Sequence, residues 1–144
     1  MIDAVASALG LGSGWGAKAL ARSLGQAKLR VAALSEPVAR ALEAQGHEPV
    51  RVQLENGRLG LDDGAVDALC ASGLPPPEAA PGILRECGRV VKGGGRVLFA
   101  TPYGLTRRGP ERHTVMAIFL HAGLTALRQR MSRGIVLTDG TVLK

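Results

Sequence analysis

Apolar and polar positions alternate between two rhythms along this chain, and the change of rhythm marks its elements. Residues 66–71 (VDALCA) form a short, mostly apolar run after the turn Asp62-Asp63-Gly64. Such a run suits a strand buried on both faces. Ile83, Leu84, Cys87, Val90 and Val91 then recur at helical spacing. Lys92-Gly93-Gly94-Gly95 is expected to end that helix, with a cation in the last turn and glycines free to take positive φ. Residues 96–101 (RVLFAT) make a second buried strand, stopped by Pro102. Strand, helix and strand in that order imply parallel strands in an α/β sheet.

Similar units flank this core. Residues 29–34 (LRVAAL) read as a strand, and Ser35 can cap a helix that has Glu36 and Pro37 in its first turn. Val38, Ala41, Leu42 and Gln45 give that helix its inward stripe, and Gly46 ends it. Residues 49–54 (PVRVQL) form a further strand. Upstream, Ala17, Leu20, Ala21 and Leu24 lie at helical spacing before Gly25. They follow the loop Gly10-Leu11-Gly12-Ser13-Gly14 and the Ala-rich residues 4–9, which fit either a strand or a helix. Downstream, residues 111–122 read as a helix with Val115, Ile118, Phe119 and Ala122 inward. Residues 125–131 read as an exposed edge strand guarded by Arg. Residues 135–143 make one bulged strand or a hairpin at Asp139-Gly140. The expected architecture is a doubly wound, Rossmann-like, mostly parallel sheet with an antiparallel C-terminal edge, built as a single domain over residues 1–144.

Two stretches carry a family resemblance. LDDGAVDAL and ILRECGRVVKGGGRVLFATP, in residues 61–102, resemble the second half of a class I S-adenosylmethionine (SAM)-dependent methyltransferase of the small-molecule type. That family typically has a "DGxFD" turn and strand, then "RVLKPGG" before its fifth strand. Gly93 stands here where the family usually has Pro. "LSEP" at residues 34–37 and His121-Ala122-Gly123-Leu124 extend the likeness, which implies a minimal seven-stranded fold.

The resemblance implies where SAM would sit. Gly10, Gly12 and Gly14 would pass under its methionine part, and Glu55 would meet the adenine amino group. Residues 72–77 would lie near the methyl group. Asp67 matches an acid of the fourth-strand region, and a hydrogen-bonding role at a strand start explains it equally well. Two departures stand out. The family's acid before the glycine loop is Ala8, and the acid that holds the ribose hydroxyls is Ala33. A carboxylate accepts two hydrogen bonds there, each worth about 1.5–3 kcal/mol. Glu36, three residues on, is poorly placed to replace it. Trp15 can stack on an adenine, fill the cofactor space or pack in the core.

The composition narrows the functions. Aromatics are 3% of the chain, so the core must be built from Ala, Val and Leu. The formal net charge of +6 favours acidic partners. The basic residues are scattered, with denser groups at Arg107, Arg108 and Arg112 and at Arg128, Arg130 and Arg133, and they read first as a solvated surface. Nucleic acid is a partner that no base-reading motif supports. Cys70 and Cys87 read as small core residues in a reducing, cytoplasmic setting. His47, His113 and His121 lack ligand spacing, so no metal is expected. No apolar run reaches membrane-span length, and no secretory leader is read at the N-terminus. The expectation is a methyltransferase-like domain with a degenerate SAM site and no catalytic residues, acting as an interaction or regulatory protein with a protein partner or a second copy. The alternative is an active SAM-dependent methyltransferase with a small or anionic substrate.

Overall fold

The computed structural model describes residues 16–25, 27–73, 75, 78–102, 112–132 and 134–144. Its elements are α1 (Ala17–Ser23), β1 (Arg30–Ala33), α2 (Glu36–Ala44), β2 (Glu48–Arg51), β3 (Val66–Ser72), α3 (Ala80–Val90), β4 (Val91–Pro102), α4 (Arg112–His121), β5 (Thr125–Ser132) and β6 (Ile135–Thr141). The six strands form one sheet in the order β2-β1-β3-β4-β6-β5. The pairs β1–β2, β1–β3 and β3–β4 are parallel, and β4–β6 and β5–β6 are antiparallel. This is the expected Rossmann-like sheet with an antiparallel edge.

Strand alternation sorts the core into two layers. Val31, Ala33, Ala68, Cys70, Leu98 and Ala100 face α1 and α2. Ala32, Leu69, Ala71, Val97 and Phe99 face α3 and α4. Small side chains dominate, as composition requires, but both phenylalanines meet in the second layer. Phe99 and Phe119 stack edge to face with centroids 5.7 Å apart.

The first-strand expectation, on residues 4–9, lies outside the described residues. A doubly wound sheet of order 3-2-1-4-5 keeps its first strand at the centre. Here β1 and β3 pair directly, with Val31, Ala32 and Ala33 opposite Ala68, Leu69 and Cys70. The Leu34 amide continues the ladder to the Cys70 carbonyl at 3.3 Å.

Lys92-Gly93-Gly94-Gly95 departs from its expected role. α3 stops at Val90 and β4 starts at Val91, so the glycines sit inside the strand. The register steps from Val66↔Val91 to Ala68↔Arg96, which makes the glycine run a bulge. Gly95 is there because a Cβ would run into the Asp67 carbonyl oxygen. At the C-terminal end, Asp139-Gly140 makes no hairpin. Both residues pair with β4, opposite Leu98 and Val97, inside the single strand β6. β5 lies at the sheet edge, as expected.

No helix stands between β2 and β3. The connection, residues 52–65, crosses the α3 face and is tied down by one carboxylate. Buried Glu86 accepts a hydrogen bond from the Leu59 amide at 2.9 Å through Oε2. Arg89 donates to both Glu86 oxygens at 2.7 and 2.8 Å. It also reaches Asp63 at 2.6 Å and the Leu61 carbonyl at 2.8 Å. Lys144 closes the same corner by donating to the Arg89 and Val91 carbonyls at 2.9 and 2.7 Å. The Arg89 guanidinium, aided by the Leu59 amide, holds the Glu86 carboxyl at about 2, below its ordinary 4.5.

Four outcomes follow from this packing. Glu86→Ala should lower stability by about 2–3 kcal/mol in urea titration, the loss expected for hydrogen bonds to a buried charge. The wild-type advantage is full above pH 4.5 and fades as pH falls towards 2, so the two acid-unfolding curves should converge across that window. Gly16, at φ 74, opens α1, and a Cβ there would lie 2.7 Å from Ala100 Cβ. Gly16→Ala should therefore cost about 1–3 kcal/mol in the same titration. Burial pushes both Cys70 and Cys87 thiols up to about 12. A thiol reagent at neutral pH should label neither in the folded protein and both in denaturant.

Candidate functional site at the carboxyl edge of the sheet

Chain order reverses between β1 and β3: β1 leads outward through α2 to β2, and β3 leads the other way through α3 to β4. In open α/β sheets the ligand crevice lies at the carboxyl ends of the strands at such a reversal. β1 ends there in Ala33, which is buried. Ser35 is extended, and its Oγ accepts from the Val38 amide at 3.4 Å to start α2.

A cleft of about 830 Å³ opens beside this junction, lined by Ala33, Ser35, Glu36, Arg51, Glu55 and Leu61 among others. Its strongest electrostatic feature is an ion-pair cluster. Glu36 Oε1 accepts from Arg51 Nε at 2.7 Å, and Oε2 accepts from Arg51 Nη2 at 3.1 Å and from Arg40 Nε at 3.2 Å. Arg51 Nη2 also reaches Glu43 at 3.3 Å. Arg51 and then Arg40 hold the Glu36 carboxyl at about 2. Glu36 is thus in the cleft, but its oxygens are committed to guanidinium groups.

Glu55 reaches the same cleft by a tight turn. Its amide and carbonyl exchange hydrogen bonds with those of Arg58, both at 2.8 Å. Asn56 and Gly57 between them have φ 52 and 75. That is a two-residue turn of type I′, for which Asn-Gly is the preferred sequence. The pair is a turn signal in the sequence; β2 itself stops at Arg51, short of the expected Leu54. The Glu55 side chain is exposed.

Of the other expected site residues, Gly10, Gly12 and Gly14 lie outside the described residues, as do Ala8 and Trp15. Gly16 was not singled out in the sequence. It begins α1 and lines a second hollow of about 980 Å³, which Ala17, Ala21, Pro37, Arg40 and Ala41 help to form. Ser72 ends β3 fully buried, with no hydrogen-bond partner for Oγ among the described residues. By strand alternation it shares the face of Cys70 and Ala68. Asp67 lies at the opposite, amino edge. It accepts from the Arg30 amide at 2.9 Å and pairs with Lys92 at 2.9 Å, which together hold its carboxyl below the usual range. Asp67 is a tie between β1, β3 and the bulge of β4. Among the described residues no cluster of His, Cys, Asp and Glu could hold a metal, and no helix is long and apolar enough to cross a membrane.

Solved structures share this fold. The chain is similar to the 1,6-didemethyltoxoflavin-N1-methyltransferase of Burkholderia thailandensis, solved with 1,6-didemethyltoxoflavin and S-adenosylhomocysteine. Identity is 14%, TM-score 0.67, and the match covers 91% of this chain and 78% of that one. A SAM-dependent methyltransferase of Aquifex aeolicus matches with 11% identity and TM-score 0.62, over 96% and 92% of the two chains. A Thermotoga maritima SAM-dependent methyltransferase matches with 12% identity and TM-score 0.57, over 89% and 88%. No curated protein matches the sequence. A profile of the family described as "Methyltransferase domain" matches residues 8–99, well over half of the sequence. The chain belongs to the methyltransferase domain family.

Proposed function

We propose that this chain is a methyltransferase-fold protein whose SAM site has degenerated and which serves as a non-catalytic interaction or regulatory protein. The observation that carries this reading is the direct pairing of β1 with β3. In a doubly wound nucleotide fold, the glycine loop leaves the carboxyl end of the central first strand and approaches the ligand at the switch point. With β1 and β3 joined, that launching position is absent from the centre of the described sheet.

The residues at the cleft support the same reading. SAM is the cofactor that family membership makes plausible, and its ribose needs an acceptor at the end of β1. Ala33 offers a buried methyl group there. The nearby carboxylate, Glu36, already accepts three hydrogen bonds from Arg40 and Arg51. Recruiting it would mean breaking those pairs first. Glu55 alone of the expected polar contacts stands in the cleft with an exposed side chain. This set does not fit SAM as the family holds it.

Calorimetric and thermal-shift titration with SAM and with S-adenosylhomocysteine tests the proposal. The expected outcome is no heat of binding and no rise in melting temperature at millimolar ligand. Ligand at a hundredfold excess over its dissociation constant would stabilise by about 2.7 kcal/mol. For a protein of this size, that corresponds to a rise of roughly 5–10 °C. A rise of that order with matching heat would overturn the proposal in favour of a SAM-dependent methyltransferase.

A further inference from the structure

α1 and α2 lie side by side on one face of the sheet, and both run from its carboxyl edge to its amino edge. Gly16, before α1, packs against Ala100 near the end of β4, while the Ser23 carbonyl at the other end accepts from Arg96 at 3.2 Å. α2 connects β1 to the parallel strand β2 and so runs the same way. The hollow of about 980 Å³ lies between the two helices. Its floor is alanine: Ala17 and Ala21 on α1, Ala41 and Ala44 on α2. Ala17 and Ala21 are buried, Ala41 is half-buried and Ala44 is exposed, so the hollow is an open trough rather than a closed chamber. Small side chains on both walls let a third element come close.

The rim carries charge of one sign. Lys18 and Arg22 are exposed and stand one helical turn apart, about 6 Å along the axis. Neither side chain makes a hydrogen bond or ion pair among the described residues. Arg40 stands on the α2 rim and bonds through Nε to Glu36 at 3.2 Å. Glu36 is the only acid among the described lining residues, and Arg51 and Arg40 already occupy both its oxygens. An apolar trough whose cations lack partners is complementary to an occupant with an apolar face and an acidic flank.

We propose that this trough docks an acidic amphipathic helix of another protein. Its apolar side chains, recurring at helical spacing, would lie along the alanine floor, with its acids beside Lys18, Arg22 and Arg40. A small acid with an apolar tail fits less well, because a small-molecule site encloses most of its ligand and this trough is open. A second copy of this chain is the wrong occupant. The net charge of +6 opposes association, and the acids of the described helices, Glu36, Glu43 and Glu86, are already paired with arginine. The docking surface supplies the partner that the interaction reading calls for without depending on the cleft. Trough and cleft share only Glu36 among the described residues, so a positive SAM titration leaves the proposal standing.

Fluorescence anisotropy on the full chain tests it, with a labelled helical peptide of about 16 residues. The peptide has Leu at helical spacing on one face, Glu on both flanks and Ala elsewhere. The comparison probes are the same peptide with Lys for Glu, the same peptide with a central Pro, and sodium dodecanoate as competitor. The Glu peptide alone should bind, and K18E/R22E should weaken it by at least about tenfold. Ala44→Arg places a cation that suits the last turn of α2 but fills the floor. It should weaken binding by at least about threefold, where attraction by charge alone would strengthen it. Far-UV circular dichroism checks that the variants fold. Should K18E/R22E unfold, Lys18→Gln and Arg22→Gln should each weaken binding by about threefold. Five results would each overturn the proposal: no binding of the Glu peptide, equal binding of the Lys or Pro peptide, undiminished binding by the folded variants, tighter binding of dodecanoate than of the peptide, or a dimer in sedimentation that K18E/R22E dissolves.

Discussion

The parallel ladder between β1 and β3 fixes the rest of this molecule. It joins the two halves of the sheet where chain order reverses, and it sets which strand ends face each other across the crevice. Ala33 and Cys70 face each other in that ladder because both are small and buried. The same smallness lets α1 and α2 pack closely above them, with Gly16 against Ala100. A larger residue or a carboxylate at position 33 would have to be accommodated beneath α2, in a layer built mainly of small apolar side chains.

The second constraint is electrostatic. A parallel sheet ordinarily covers both faces with crossover helices. Residues 52–65 cover the α3 side of β1 and β2 without a helix, using Val52, Leu59 and Leu61 as apolar cover. Loop backbone is costly to hold in place unless its polar groups are satisfied. Glu86 and Arg89 supply that satisfaction through Leu59, Leu61 and Asp63. The cleft beside Glu55 exists because this loop is held down, so its shape depends on a carboxylate on α3 that does not itself line it.

Much of this fold was legible in the sequence. Helical spacing found the inward stripe of α3, and Ser35 with Glu36 and Pro37 marked the start of α2. Cys70 and Cys87 fell in the core as small apolar residues do. The glycine bulge was misjudged because Gly after a helix usually serves as a cap, and only the register of β3 against β4 shows that the strand has already begun. Asp139-Gly140 is a turn signal that tertiary pairing overrides: Arg96 neutralises the acid, and Phe119 and Leu124 press on the glycine. The candidate site was half legible. Family resemblance located Ala33 and Glu55, but only the folded chain brings Arg51 from β2 onto Glu36, a contact between residues fifteen apart in sequence.

Charge pairing explains why a chain of net charge +6 concentrates its unbalanced surface where it does. Glu36 and Glu43 are matched by Arg51 and Arg40, Glu86 and Asp63 by Arg89, and Asp67 by Lys92. These pairs lie at the cleft, the connecting loop and the amino edge of the sheet, so those regions approach local neutrality. Around β5 the arithmetic differs. Asp139 faces both Arg96 and Arg128, and Arg130 rests on the neutral hydroxyl of Ser23. An edge strand needs charge to resist pairing with its own kind, and arginine provides it.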